Sequence, residues 1–122
     1  PLDTCGKVKL QGERYRRILD SHRPIPRAIL DNYRIWISHQ KHPAEAAETE
    51  SSILYDTVAI HLSYSTQFLQ METLNLKVMD DGFTRQDSKG NKVQVALDWT
   101  SIDGFHDDLV TRLLAGYSTA RP

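Results

Sequence analysis

Asp56 is the residue whose setting says most about chemistry. It lies in Ile53–Leu62 (ILYDTVAIHL), a stretch that is otherwise mostly apolar. An ionised carboxylate drawn out of water needs hydrogen bonds, a cation or a raised pKa. Two roles fit its position. As an N-cap it would accept hydrogen bonds from the first free N–H groups of a following helix. As a ligand it would offer oxygen to a metal ion or a bound molecule. A carboxylate has two oxygens, so the roles are compatible.

The remaining reactive side chains form no comparable pattern. His39 and His42 are three residues apart, but they fall at the end of an expected helix and beside Pro43, where a solvated terminus is the simpler reading. His61 follows Asp56 by five residues, on a different helix face. His22 and His106 have no evident partners. Cys5 is the only cysteine, which excludes an intramolecular disulfide within the chain and fits a structural thiol. Trp36 and Trp99 read as core or interface residues. No nucleophile–His–acid constellation, phosphate-binding loop or zinc-ligand spacing occurs.

The elements that must position these residues follow from periodicity. Pro1–Leu10 reads as a short extended entry and a loop. Gly12–Ser21 predicts a helix carrying Tyr15, Ile18 and Leu19 at helical spacing. Pro26 suits the first turn of a second helix reaching about Gln40, with Ile29, Leu30, Tyr33, Trp36 and Ile37 as a broad apolar stripe. Lys41–Ser52 reads as an exposed loop with room for one helical turn. Asp56 then leads into a short, largely buried helix over Thr57–Tyr64. From Leu74 the period changes to two: Leu74, Leu76 and Val78 alternate with polar neighbours. Asp81-Gly82 signals a tight turn, Phe83–Gln86 can return as a strand, Lys89-Gly90-Asn91 makes a second turn, and Val93, Val95 and Leu97 form a third alternating run. The expectation is a three-stranded antiparallel meander. A closing helix from Ser101 or Asp103 carries Phe105, Leu109, Val110, Leu113 and Leu114. The fold class is therefore α+β. The chain has no repeated strand–helix alternation of the kind that builds a doubly wound domain.

Bulk properties exclude some functions. The net charge is −1, so no broad attraction to nucleic acid or an anionic membrane is implied. Arg14, Arg16 and Arg17 are the densest basic group and read as a solvated helix face. No apolar run approaches the roughly 18–20 residues of a membrane span. The 122 residues suit one domain or part of a larger one. The first residue is Pro1 and not Met, which points to processing or to a segment of a longer polypeptide; a missing natural N-terminus would hide a signal peptide. The lone cysteine fits a reducing compartment such as the cytoplasm.

Ser52-Ile53-Leu54-Tyr55-Asp56-Thr57-Val58-Ala59 resembles the C-terminal calcium-site segment of the inosine–uridine-preferring nucleoside hydrolases. Further segments match that family in order. Pro1-Leu2-Asp3-Thr4 resembles the stretch after its central sheet, and Asp80-Asp81-Gly82-Phe83-Thr84 its late hairpin. Val93–Trp99, with Phe105 and Leu109–Leu114, resembles its last strand and closing helix. Each motif is weakly specific; their order over nearly the whole chain carries the likeness.

The resemblance implies that the chain is the C-terminal part of a larger α/β nucleoside hydrolase fold. It would act with an N-terminal portion of the same fold on a ribonucleoside substrate, and a homo-oligomer is compatible with it. In that family a calcium ion, held mainly by an N-terminal Asp-rich motif, grips the ribose 2′- and 3′-hydroxyls and a water. The water attacks C1′ as the N-glycosidic bond breaks. By match, Asp56 is the late calcium ligand, and Tyr55 is a substrate-binding residue whose ring stacks on the base. Two departures stand out. The Asp-rich motif is absent from these residues, and neither Asp80-Asp81 nor Asp107-Asp108 replaces it. Tyr55 occupies a place where many members carry a His that protonates the leaving base; a phenol, with a reference pKa of about 10, is a poorer acid. A non-catalytic binding or assembly domain of the same likeness is the alternative.

Overall fold

In the computed structural model of the chain, which describes residues 1–41 and 43–116, the entry segment opens with a helical turn. This turn, α1 (Leu2–Cys5), replaces the extended start expected from sequence. Thr4 and Cys5 donate their N–H groups to the Pro1 carbonyl at 3.0 and 3.1 Å. Four residues make a marginal helix alone, and tertiary bonds hold this one. The buried Thr4 hydroxyl lies 2.9 Å from Ala96 O and 2.8 Å from Leu97 O, and Trp99 Nε1 donates to Thr4 O at 2.9 Å. Beyond it and a turn at Gly6-Lys7, residues 8–11 run beside residues 50–54. Leu54 N donates to Val8 O at 2.8 Å, Ser51 N to Leu10 O at 2.9 Å, and Leu10 N to the Ser51 hydroxyl at 2.9 Å.

Helix α2 (Gly12–Leu19) buries Tyr15 and Ile18, one turn apart. Helix α3 (Pro24–Ser38) begins two residues before the expected start, because both Pro24 and Pro26 fit within a first turn whose N–H groups have no intrahelical acceptor. Pro26, Leu30 and Ile37 form its buried stripe. Ala44–Glu48 is a 3-10 turn inside the expected loop, which is not wholly exposed: Ala47 is buried, and its carbonyl accepts from the Tyr15 hydroxyl at 2.6 Å. Helix α4 (Tyr55–Leu62) starts and ends two residues earlier than expected, and only one side of it is buried, through Val58 and His61.

The sheet contains β1 (Leu69–Val78), β2 (Thr84–Gln86) and β3 (Asn91–Trp99), all antiparallel to their neighbours. The α+β class and the three-stranded antiparallel sheet agree with the periodicity. The order does not: it is β2-β1-β3, with β1 in the middle, and not a consecutive meander. The cause is local. β2 spans three residues and pairs only with the Leu76–Val78 tip of β1. Asp87 N then bonds back to Asn75 O at 3.0 Å, and Gly90 N to Asp87 O at 2.8 Å. This tight turn crosses β1 at Leu76, which pairs with Gln86 on one side and Asn91 on the other. From there β3 continues along the opposite edge to Trp99, with one register shift at Gln70/Met71.

Helix α5 (Ile102–Ala115) is the last element of the described residues, and the Ser101 hydroxyl caps it by accepting from Gly104 N at 3.1 Å. Two apolar clusters form the core. Val8, Val58, Leu69, Ala96 and Phe105 lie between the sheet, α4 and α5. Leu10, Tyr15, Ile18, Leu30 and Val110 lie between α2, α3 and α5. Leu54 and Leu109 touch both. Each fully buried aliphatic side chain contributes roughly 1.5–3 kcal/mol. Arg14 is not part of a merely solvated face: its guanidinium forks onto Asp107 at 2.7 and 3.1 Å and reaches Asp103 at 2.6 Å, tying α2 to α5.

Candidate functional site

The start of α4 is positioned by the 8–11/50–54 pairing, which delivers Leu54 to the helix N-terminus. Leu54 is the N-cap, and it offers no side-chain cap. The Leu54 carbonyl takes the Thr57 N–H at 3.2 Å and the Thr57 hydroxyl at 2.6 Å. The expectation that Asp56 caps the helix is therefore corrected. Asp56 is the second helical residue, exposed, with no hydrogen bond or ion pair to the described residues. Its charge still suits the positive end of the helix dipole.

Tyr55 is also at the surface, 43% exposed. The other uncovered residues of this segment are apolar: Ile53, Ile60 and Leu62 are exposed, Ile60 to 64%. The setting read from sequence as buried is thus apolar but open. A helix that is apolar on every side is normally covered on every side.

Beside Tyr55 lies an open cavity of about 530 Å³, lined among others by Lys9, Tyr33, Trp36, Glu50 and Ile53. The Tyr33 and Trp36 rings stack at 6.0 Å between centroids. Burial, and secondarily the charge of Glu50, push the Tyr33 phenol above its ordinary pKa and keep it neutral. Hydrogen bonds from Lys9 at 2.5 Å and Gln11 at 2.7 Å hold the Glu50 carboxyl below its usual range. The cavity therefore has aromatic walls and one ionised carboxylate, paired with Lys9. Tyr55 and Asp56 stand out in the sequence, whereas this surrounding does not. Lys9, Tyr33 and Glu50 are far apart in the chain, and only the 8–11/50–54 pairing brings two of them together.

The other candidates fall elsewhere. His61 is 2% exposed and packed edge-on to Phe105 and Tyr64, with Nε2 2.8 Å from Gln67 O and Nδ1 3.3 Å from the Tyr64 hydroxyl. Both ring nitrogens are engaged, so it is a structural histidine. His39 ends α3 and is exposed, while His42 lies outside the described residues. Asp81 is used by the β1–β2 turn, where it accepts from Phe83 N at 3.0 Å and Arg85 at 2.6 Å. Asp108 pairs with Arg112, and Asp107 with Arg14. Trp99 is a core residue, 4.8 Å from the Phe105 ring, whereas Trp36 is half exposed at the cavity.

Among the described residues no three His, Cys, Asp or Glu side chains converge on one point. Asp56 is a single hard oxygen donor, whereas a calcium ion takes about 6–8 oxygens. No helix of the described residues is long and apolar enough to cross a membrane. Comparison of the chain with known protein families, with curated proteins and with solved structures finds no match.

Proposed function

We propose that the chain is the C-terminal part of a calcium-dependent N-glycosidase that hydrolyses ribonucleosides to base and ribose. The reading rests on the ordered motifs and on one observation: Asp56 stands without a cap or ion-pair role on an uncovered, otherwise apolar helix face. The N-terminal portion of the same fold would cover that face and bring the remaining oxygen ligands. Asp56 would hold the calcium ion from this side, and Tyr55 would present its ring to the base. Bound calcium would orient the ribose hydroxyls and the attacking water. A group able to take the water's proton would also come from the other portion, so the 122 residues alone would turn over no nucleoside.

The test is Asp56→Asn in the full-length protein, read by calcium titration and by release of free base from several ribonucleosides. Asn keeps the size and loses the charge that a hard cation prefers. The expected result is a loss of more than about tenfold in metal affinity and in turnover. Folding stability should change by no more than about 1 kcal/mol, since only a helix-dipole interaction is removed. Unchanged affinity and turnover would favour the second reading, a non-catalytic nucleoside-hydrolase-like binding or assembly domain. Tyr55, standing where a His acid is common, is the observation on that side. Robust turnover by the isolated chain, abolished by a substitution within it, would overturn the assignment of the missing groups to the other portion.

A further inference from the structure

His106 lies at the α2–α5 junction, 8% exposed, and its Nε2 is enclosed with no hydrogen-bond partner among the described residues. A neutral imidazole tolerates this by leaving Nε2 unprotonated and carrying its proton on Nδ1. An imidazolium must protonate both nitrogens, which would bury an N–H without an acceptor. The charged groups acting on it come from two elements. From α2 comes the Arg14 guanidinium, which disfavours a second cation, and from α5 come Asp103 and Asp107, which favour one. Those carboxylates are already occupied by Arg14, at 2.6 and 2.7 Å. Helix α3 also packs on α5 and brings no charged group to bear on His106.

We propose that His106 is an acid-operated release for the α2–α5 junction: on protonation it leaves its enclosed position and competes with Arg14 for Asp103. Asp103 precedes His106 by three residues and so shares its helix face. An outward imidazolium can therefore reach it, whereas the enclosed Nε2 has no partner among the described residues. Losing Asp103 leaves Arg14 held by Asp107 alone and opens the space that His106 filled. Burial, and secondarily Arg14, lower the His106 pKa below the usual imidazole value, in keeping with this geometry. The sign is that of a lowered folded-state pKa. The unfolded chain takes up the proton first, so stability is full above about pH 6.5 and is lost as pH falls below it.

Thermal melting of the chain and of His106→Gln between about pH 7.5 and about pH 5.5 tests the proposal. Wild type should lose about 3–6 °C more than the variant across that window. Hydrogen exchange at the lower pH, corrected for intrinsic rates, should show the α5 amides losing protection ahead of the β1–β3 ladder. Equal melting losses in the two proteins, or uniform loss of protection, would overturn it. If His106→Gln fails to fold, the ring C–H resonances of His106 in wild type decide alone. A titration midpoint below the ordinary value supports the release, and one at or above that value overturns it.

Discussion

Gly90 sits where two stretches of backbone cross. A Cβ built on it would lie 2.5 Å from both the carbonyl carbon and the oxygen of Leu76, and 2.9 Å from its nitrogen. Those atoms belong to the central strand and cannot swing aside as a side-chain tip could. Gly82, in the β1–β2 turn, is a different case. Its φ is +81°, but a Cβ there would meet nothing within 4 Å. The two glycines therefore separate steric approach from backbone conformation. Gly82→Ala should cost about 1–2 kcal/mol, the penalty of a left-handed residue. Gly90→Ala should cost more, about 3 kcal/mol, since the crossing must shift or β3 must lose pairing next to Leu76. Urea denaturation of both variants measures the difference. Equal costs would mean that the crossing yields more easily than its distances indicate.

Among the elements, the two helices α4 and α5 begin with similar sequence signals and different physics. Ser101 caps α5 through its hydroxyl, as its position ahead of Asp103 indicates. Asp56 looked equally suited to cap α4, yet Leu54 occupies the cap and Asp56 lies inside the first turn. Ser101→Ala should thus cost about 1 kcal/mol in folding stability. Asp56→Ala in the same assay should cost only about 0.5 kcal/mol. A larger cost for Asp56 would restore the capping role. The same contrast separates what was legible in the sequence from what was not. Helices α2, α3 and α5 follow from local spacing, as in Tyr15 with Ile18 and Leu30 with Ile37, and so does the presence of strands β1 and β3; the inward face of β3 does not, since Ala96 enters the core while Val93 is exposed. Helix α1 could not be read locally, since it is held by bonds from Thr4 to carbonyls more than 90 positions away. The central place of β1 was hidden for the same reason, because it depends on how closely Gly90 passes Leu76. At the candidate site, Tyr55 and Asp56 are neighbours in sequence and were found together. Lys9, Tyr33, Trp36 and Glu50 gather beside Tyr55 only through tertiary pairing.

At the scale of the molecule, the two buried clusters leave apolar surface on α3 and α4 outside the core. Ile35 and Trp36 on α3 and Tyr55, Ile60 and Leu62 on α4 are all exposed. Single exposed apolar side chains are ordinary in proteins, but neighbouring ones on one helix form a patch that favours association. Ile60 is the best probe, because its side chain contributes little to this core: it is 64% exposed, while Val58 and His61 hold α4 in place. In the isolated chain, Ile60→Glu should therefore leave the melting temperature within about 2 °C of wild type. It should also lower binding of a hydrophobic dye and reduce concentration-dependent association seen by sedimentation. In the longer protein proposed above, the same position would be covered by the N-terminal portion. The introduced carboxylate would then be buried without a partner, at a cost of more than about 2 kcal/mol. A variant that is neutral in the isolated chain and damaging in the longer one would show that this face is an internal surface of a larger fold. Neutrality in both would show that α4 faces solvent throughout, and would remove the structural support for Asp56 as a ligand in a completed site.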